Sequence, residues 1–411
     1  MNISNSHTSG IFVSDVFGGL IGSFGGSVTI LDSYSSGTFS ISMYGGGPQL
    51  GFGIGGIIGS LWNGASLNIS DSYASGTLNG QYYTGGIIGN ATQNSSINMT
   101  NVSSDFEISS VNYVGGLIGA VNASTTITNS FANGNIVSGQ RWVGGLIGLV
   151  GYDGLYYNLA PNNYKGNINI SNSYTEGDVA GGAGNQYSLV GGFIGGIGDN
   201  NTTTISNSYS NTNVTSTYKL VGGFIGGVLA RNSSVEISGC HATGNVINQN
   251  GADRTGGFIG GRTDNIYPDG SSMMRILNSY ATGNVDGHFS VGGFIGDLSG
   301  NISDFIINSY ATGNVDGEQE VGGFAGNIGY GTITNSRAIG DVYSSFNSGG
   351  FAGNIGFRAT VTNSYAAGNL TGIFAGQSLG GGFVGLISGV VTNSYAIGSM
   401  TSLGPCIGDI S

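Results

Sequence analysis

Small or apolar residues alternate with polar ones in short segments that recur along this 411-residue chain. One segment places Ser279, Ala281, Gly283 and Val285 at alternate positions, and residues 336–342 repeat the same series. Alternate positions share one face of a β-strand, so the series predicts strands whose small residues point inward. The intervening positions are polar or amphipathic, and the first of them accepts tyrosine, histidine or arginine. A position that accepts arginine is predicted to face solvent.

Two sequence words organise the repeats. The first is Asn-Ser-Tyr or a close variant, and the second, which we call the Gly-Gly word, is a glycine pair followed by two apolar residues and a glycine. The Gly-Gly word begins at Gly18, Gly55, Gly85, Gly115, Gly144, Gly191, Gly222, Gly256, Gly292, Gly322, Gly349 and Gly381, with a degenerate copy at Gly404. The mean period is (381 − 18)/11 = 33 residues. A fixed period of this size predicts a solenoid with one coil per repeat, and residues 1–411 are predicted to form one continuous repeat domain.

The two words predict different kinds of corner. The apolar residue before each Asn-Ser-Tyr word lies three positions before the serine rather than two, which interrupts the alternation at the asparagine. Asparagine tolerates unusual backbone angles, so we expect a corner there, with stacked Asn side chains bonded to one another. The third and fourth positions of the Gly-Gly word are both apolar, and adjacent residues cannot both face the core of a flat strand. Either the glycine pair bends the chain, which we favour, or one apolar stripe lies outside.

Composition points to the same architecture. The chain contains 82 Gly and only 30 charged residues, 9 Lys+Arg and 21 Asp+Glu. So much glycine makes long helices costly, at about 1 kcal/mol per Gly relative to Ala. The sequence therefore predicts an all-β, parallel β-solenoid (β-helix) of about 13 coils of roughly 33 residues each. We expect three sides per coil and a rod on the order of 60 Å long at about 4.8 Å per coil.

Charge and cysteine usage exclude several classes of partner. The formal net charge of −12 offers no basic stripe for phosphates, so no nucleic acid partner is expected. No run of 18 apolar residues occurs, so no membrane insertion is expected. Met1 is followed at once by repeat sequence rather than a signal peptide, so we expect a segment or a processed protomer of a larger assembly. Cys240 and Cys406 lie about five coils apart, roughly 24 Å, which is beyond disulfide reach.

Two insertions follow Gly-Gly words at the same point of the coil, three coils apart, and are expected to project from one edge. Insertions are where solenoids usually add function. Their aromatic and acidic residues could form a rim that binds sugars or proteins, although tolerance of loops is the simpler explanation. The candidate contact residues are Tyr152, Asp153, Tyr156, Tyr157, Asp264, Tyr267 and Asp269.

An outward column of tyrosines, such as Tyr280 and Tyr310, has two interpretations. Aromatic side chains stacked in register would reinforce the coils, or a flat aromatic strip could bind saccharide rings. Asp286 and Asp316 are acids at matching positions one coil apart, a separation of about 5 Å that a retaining glycosidase would use. They lie beside glycines in a turn with no pocket evident in the sequence, so solvated turn carboxylates are the simpler interpretation.

No constellation of catalytic, cofactor-binding or metal-binding residues is recognisable. The three histidines lie in different coils, and HExxH, nucleophile-elbow and P-loop motifs are absent from the sequence. We therefore expect no enzyme activity, no cofactor and no metal site. Fourteen Asn-x-Ser/Thr acceptors occur, about what this composition produces by chance, so glycosylation is permitted. The candidates are Asn68, Asn94, Asn122, Asn169, Asn201, Asn213, Asn232, Asn301 and Asn369.

The repeat resembles a known motif. Residues 19–22, 116–119 and 145–148 read Gly-Leu-Ile-Gly, which is similar to the Gly-Leu-x-Gly core of the GLUG motif, and the flanking Asn-Ser-Tyr phrase resembles its usual context. GLUG repeats occur in large bacterial surface and secreted proteins, including adhesins and the non-catalytic parts of some immunoglobulin A-specific metallopeptidases. The resemblance implies an extracellular or cell-surface repeat protein and carries no catalytic residues to this chain.

Three functions remain open on the sequence. The chain could be a non-catalytic adhesin or stalk segment that presents loops to glycans or host surface proteins. It could be a fibre subunit that associates head to tail. Joining residue 411 of one copy to residue 1 of the next places seven residues between Gly408 and Asn5, as between Gly385 and Asn393 within the chain. The alternative is a carbohydrate-binding or polysaccharide-cleaving β-helix.

Overall fold

The computed structural model describes residues 1–14, 17–40, 53–151, 166–181, 188–217, 219–229, 232–249, 254–263, 272–372 and 379–402. Every element among these residues is a β-strand, and every strand pair is parallel, as in Gly55 with Gly85 and Gly292 with Gly322. The pairing joins equivalent positions of successive repeats. The parallel β-solenoid predicted from the sequence is therefore confirmed.

Five parallel ladders, named A to E, run along the solenoid; the long strands take part in more than one. Ladder A follows the Gly-Gly word and contains Ile21–Phe24, Ile58–Leu61, Ile88–Ala91, Ile118–Val121, Ile147–Val150, Ile194–Ile197, Ile225–Val228, Ile259–Thr263, Ile295–Ser299, Ala325–Thr334, Ala352–Thr362 and Val384–Ile387. Ladder B precedes the Asn corner and contains Asn2–Ser4, Ser27–Leu31, Ser66–Asn79, Ser96–Gly115, Ser124–Thr128, Gly166–Ser171, Asn201–Ser206, Ser234–Ser238, Met273–Leu277, Phe305–Ile307 and Val390–Thr392.

Ladders C, D and E complete the coil. Ladder C follows the corner and contains His7–Val13, Tyr34–Ser40, Phe131–Asn133, Tyr174–Glu176, Tyr209–Asn211, His241–Ala242, Tyr280–Ala281, Tyr310–Ala311, Arg337–Ala338, Tyr365–Ala366 and Tyr395–Ala396. Ladder D contains Ile136–Gly144, Val179–Gly181, Val214–Ser216, Val246–Asn248, Val285–Asp286, Val315–Gly322, Val342–Gly349, Leu370–Gly372 and Met400–Ser402. Ladder E leads into the Gly-Gly word and contains Phe17–Gly18, Ile54–Gly55, Tyr82–Gly85, Leu189–Gly191, Leu220–Gly222, Arg254–Gly256, Phe289–Gly292 and Gly380–Gly381.

The outline of the coil differs from the expected three sides. Residues 174–206, for example, contribute five short strands, one to each ladder. The sequence pattern predicts the strands around the two words but not the separate turns between ladders C, D and E. These turns are only a few residues long, and hydrophobic alternation does not reveal breaks of that size.

The Asn corners are confirmed. The backbone angle φ is positive at the corner position of all thirteen Asn-Ser-Tyr words, from Asn5 (48°) to Asn393 (47°). Asn and Asp adopt this left-handed region more readily than most residues, and Gly239 takes the same angle in the one copy that lacks them. Side chains at successive corners bond to one another: Asn308 Nδ2 donates to Asn278 Oδ1 at 3.2 Å, and Asn393 Nδ2 donates to Asn363 Oδ1 at 2.6 Å.

The small inward positions are also confirmed. Ser279, Ala281 and Val285 are buried, as are their counterparts in residues 336–342. The serines are not left with unmet polar groups, because the Ser279 backbone N–H donates to Ser309 Oγ at 3.4 Å, while Ser279 Oγ donates to the Leu277 carbonyl at 2.9 Å. Each buried hydroxyl thus bonds its own coil and the neighbouring coil, which explains why serine fits this core position.

The Gly-Gly word bends the chain, and the outer-stripe alternative is wrong. Phe294 and Ile295 are both fully buried, and the chain bends at residues 293 and 294 between ladders E and A. Glycine is needed here because a Cβ on Gly292 would lie 2.1 Å from the Ile295 carbonyl oxygen. The phenylalanines of successive words form a stack inside the core, with ring centroids 4.6–4.9 Å apart: Phe193, Phe224, Phe258, Phe294, Phe324, Phe351 and Phe383.

Candidate functional site

The proposed ligand-contact residues lie outside the described part of the chain. Tyr152, Asp153, Tyr156 and Tyr157 fall within residues 152–165, and Asp264, Tyr267 and Asp269 fall within residues 264–271. The strands that precede the two insertions are described. Ile147–Val150 and Ile259–Thr263 both belong to ladder A and are three rungs apart. The insertions therefore leave the solenoid from the same ladder, as predicted.

The outward aromatic column is a stack along ladder C. Ring centroids of neighbouring members lie 4.6–5.0 Å apart, with interplanar angles of 2–10°, through Phe131, Tyr174, Tyr209, His241, Tyr280 and Tyr310 and separately through His7, Tyr34 and Tyr73. At Arg337 the guanidinium replaces a ring and lies 4.3 Å from the Tyr310 centroid. Because each ring covers the face of the next, the column turns its edges to solvent. Sugar rings bind aromatic faces rather than edges, so this geometry favours the structural interpretation.

Stacking changes the titration of the column. Partial burial raises the pKa of Tyr280, and the neighbouring Tyr310 contributes to the same shift. Burial lowers the pKa of His241, which lies between Tyr209 and Tyr280. The neutral forms of Tyr280 and His241 are therefore favoured, which suits rings packed closely against one another.

The acid pair lies in a depression that the sequence did not reveal. Asp286 and Asp316 are register partners on ladder D, and Ile247 and Tyr343 extend the same column on either side. These four side chains and Asn284 contribute to the wall of a solvent-open cavity of about 330 Å³. No pocket was evident in the sequence, which placed both acids in a turn. They lie instead in strands of ladder D, where their short side chains between Ile247 and Tyr343 leave space.

Electrostatics distinguish the two carboxyl groups. Burial raises the pKa of Asp316, the charge of Asp286 raises it further, and a hydrogen bond from the Gly317 backbone N–H opposes the shift. The neighbouring amides have other partners, since Asn284 Oδ1 accepts the Asn314 N–H at 2.9 Å. The carboxylates are thus the chemically active groups of the depression, able to accept hydrogen bonds from a hydroxylated or cationic ligand.

One fully buried and one partly buried ion pair are not apparent from the sequence. Arg262 Nε donates to Asp304 Oδ2 at 2.5 Å with both side chains fully buried, and Arg254 Nε lies 2.5 Å from Asp297 Oδ2. Asp304 also accepts the backbone N–H groups of Asn301 and Met274, each at 2.8 Å. Arg262 and Asp304 are 42 residues apart, so only the coil register brings them together. Their full burial indicates a structural role.

The remaining candidate groups are placed as follows. Cys240 is buried in the inward serine position, and burial raises the pKa of its thiol to about 12, so it is not a nucleophile. Within the described ranges, no group of three or more His, Cys, Asp or Glu side chains could hold a metal ion. No helix in that part of the chain is long and apolar enough to cross a membrane.

The glycosylation acceptors differ in accessibility. Asn201 and Asn301 are buried, so neither has room for a glycan in the folded chain. Asn122 is half-buried. The exposed acceptors, at which glycosylation stays a prediction, are Asn68, Asn94, Asn169, Asn213, Asn232 and Asn369.

Comparison with curated proteins and with solved structures returned no match to the chain. One family model does match, the GLUG motif, over residues 317–343. This range contains one complete Gly-Gly word, from Gly322, and one variant Asn-Ser-Tyr word, from Asn335. The match therefore falls on a Phe-Ala copy rather than on the Gly-Leu-Ile-Gly copies that suggested the resemblance. Residues 317–343 match the GLUG motif, a repeat found in surface and secreted proteins, and the neighbouring coils pair with this one in register.

Proposed function

We propose that this chain is a non-catalytic structural β-solenoid of the cell surface or extracellular space, which presents loops or stacks into a fibre. The observation that carries the proposal is the unbroken register of equivalent positions, from Gly18 on Gly55 through to Gly349 on Gly381. Such a rod is about 60 Å long at roughly 4.8 Å per coil. A uniform rod of this kind can hold attached segments at a fixed distance from a surface.

The outward columns support a structural role. The corner asparagines and the ladder C tyrosines are engaged with the next coil, so these two columns contribute to coil stacking. The insertions at residues 152–165 and 264–271 follow strands of the same ladder, and in this proposal they contact glycans or host surface proteins. The localisation is supported by the GLUG repeat, which is typical of secreted and surface proteins.

Stacking between chains is supported by the coil at residues 379–402. Met400 is 55% exposed, whereas its ladder D partner Leu370 is 1% exposed. Apolar side chains and unpaired strand edges of this kind are covered by another coil. If the chain is a fibre subunit, a second copy of the chain supplies that coil.

Electron microscopy of the purified chain tests the proposal. Isolated rods of about 60 Å are expected for a stalk segment, and long filaments with a continuous cross-section are expected for a fibre subunit. Compact particles or unfolded chains would overturn both arms. Binding to a glycan array, compared between the intact chain and a variant lacking residues 152–165, separately tests whether the first insertion is adhesive.

A carbohydrate-binding or polysaccharide-cleaving function is the second candidate, favoured by the depression around Asp286 and Asp316. Two carboxylates on neighbouring rungs could accept sugar hydroxyls while Tyr343 provides an apolar wall. Release of reducing ends from acidic, neutral and basic polysaccharides would support it if Asp316→Asn abolished the release. Absence of any release by the intact chain would remove the cleavage alternative.

A further inference from the structure

The outward side of ladder B is unusually uniform in six successive coils. The strands at residues 27–31, 66–70, 96–100, 124–128, 167–171 and 202–206 pair in register, and their second and fourth residues are buried. Their first, third and fifth residues point outward, and 17 of these 18 positions hold Ser, Thr or Asn, with Leu31 as the exception. We call this surface the hydroxyl face. Its central column is Thr29, Asn68, Asn98, Thr126, Asn169 and Thr204.

The fold does not require this composition. In the next coils the central column continues with Glu236, Arg275 and Phe305, and Met273 occupies a neighbouring outward position. These coils stack in the same register as the first six. A charged, aromatic or large apolar residue is therefore compatible with the ladder. The uniform composition of the hydroxyl face therefore points to binding at this surface rather than to a requirement of coil stacking.

The rungs of the hydroxyl face are also regular. Its strands pair in parallel and without a register shift. Along the adjacent ladder C, the ring centroids of Tyr34 and Tyr73 lie 5.0 Å apart, those of Phe131 and Tyr174 4.8 Å, and those of Tyr174 and Tyr209 4.9 Å. Successive rungs therefore repeat at a nearly constant distance.

The face is a two-dimensional lattice. Its rungs repeat at about 4.8 Å along the solenoid, and outward residues repeat at about 6.6 Å along each strand. Six rungs and three columns cover about 24 Å by 13 Å. No charged residue occurs among the 18 positions, although the chain has 30 charged residues. The side chains can hold water through hydroxyl and amide groups, but they carry no ionic hydration shell.

We propose that the hydroxyl face binds ice. Water oxygens on the prism faces of hexagonal ice repeat in two perpendicular directions, one shorter and one longer, with spacings of the same order as this lattice. Water held on the face at these positions can merge with the crystal without being displaced. A charged side chain would hold its water in another arrangement. The absence of aromatic residues argues against a crystalline polysaccharide, since sugar rings are usually gripped by aromatic faces.

This activity goes beyond the stalk or fibre role and does not depend on it. The test uses the purified chain produced without N-glycans, because the acceptors Asn68 and Asn169 lie in the face. Ice recrystallisation and thermal hysteresis are measured for the chain and for Thr126→Arg, a change that the same column tolerates at Arg275. Wild type is expected to slow recrystallisation, and Thr126→Arg is expected to reduce the effect severalfold.

Tyr280→Arg is the matched control, because it places the same charge on ladder C, whose column already contains Arg337. It should retain the effect on ice. Circular dichroism establishes that each variant is folded, and Asn98→Glu, for which Glu236 is the precedent in the same column, replaces Thr126→Arg if that variant fails to fold. A wild-type chain without effect on ice overturns the proposal, as does equal loss in Thr126→Arg and Tyr280→Arg. Retention on crystalline cellulose or chitin with no effect on ice would assign the face to polysaccharides instead.

Discussion

The Oδ1 atom of Asn314 accepts a hydrogen bond from the backbone N–H of Asp341, one coil further along, at 3.0 Å. The same relationship joins Asn245 to Asn284 and Asn284 to Asn314. A second column of Asn and Asp side chains thus runs parallel to the Asn corners, at the turn between ladders C and D. Each member satisfies a turn N–H that no strand partner reaches, so the column secures one coil to the next.

Replacing Asn314 by alanine should weaken this connection. The Asp341 N–H loses its acceptor, and because water can reach this turn the expected cost is about 1 kcal/mol. Urea unfolding measures the loss, and hydrogen exchange of the Asp341 amide locates it. Asn314→Asp is the control: aspartate already serves in the same column at Asp341, whose Oδ1 accepts the Asn369 N–H at 2.7 Å, and should retain most of the stability. Equal stability of the alanine variant and wild type would show that the column contributes nothing.

The internal phenylalanine stack should be the most sensitive part of the core. Phe294 is fully buried between Phe258 and Phe324, so Phe294→Ala leaves a cavity and is expected to cost about 3–5 kcal/mol. Phe294→Leu should cost less than about 1.5 kcal/mol, because Leu117 and Leu146 occupy the equivalent position in earlier coils. Urea unfolding free energies distinguish the two. A leucine variant as unstable as the alanine variant would mean that ring stacking, rather than volume, holds this position.

The sequence was sufficient to predict the parts of the fold that repeat. Each corner at an Asn-Ser-Tyr word and each inward Ser, Ala or Val was predictable, because the same residue pattern recurs in thirteen copies. Agreement among the copies distinguishes the pattern from chance. The burial of Phe294 beside Ile295 was left open because alternation cannot describe a bend. The structure shows the bend at residues 293 and 294, so Phe294 at the bend and Ile295 in ladder A both point into the core.

Features that occur once were not predictable. Arg262 and Asp304 belong to coils of unequal length, so their pairing follows only from the stacked structure. The depression beside Asp316 depends on side-chain size at Ile247 and Tyr343, in coils before and after the acid pair. The repeat pattern is shared by all coils, so it carries no information about residues that occur in only one of them. The ion pair and the depression are therefore visible only in the folded structure. The ligand contacts predicted for the two insertions still rest on the sequence alone.

Breaking the Arg262–Asp304 pair should be strongly destabilising. Arg262→Met leaves a buried carboxylate without its cation, and such a loss costs about 3–5 kcal/mol. The double variant Arg262→Met with Asp304→Asn removes the charge while one amide oxygen can still accept a backbone N–H, so it should recover part of the loss. Thermal and urea unfolding of the two variants measure the difference. A double variant no more stable than Arg262→Met would show that the buried charge is not the cause.

The free energy of unfolding should depend on pH through Asp316, which lines the depression. The pKa of Asp316 is raised in the folded chain, first by burial and then by Asp286. Below the ordinary carboxyl pKa, both the folded and the unfolded chain hold this proton. As pH rises through that value, the unfolded chain releases its proton first, and the contribution of Asp316 to stability falls until the folded pKa is passed.

Asp286→Asn should therefore lower the pKa of Asp316, and Asp316→Asn should flatten the fall in stability over the same pH range. The measurement is the free energy of unfolding in urea at a series of pH values from about 3 to about 6, on either side of the ordinary carboxyl pKa. Asp71→Asn is the control, since it removes an exposed acid at a corner where asparagine is the usual residue. If Asp316→Asn and Asp71→Asn changed the profile alike, the raised pKa of Asp316 would not be the source of the pH dependence. If only Asp316→Asn flattened it, the Asp316 carboxyl group would be shown to hold its proton above the ordinary carboxyl range in the folded chain.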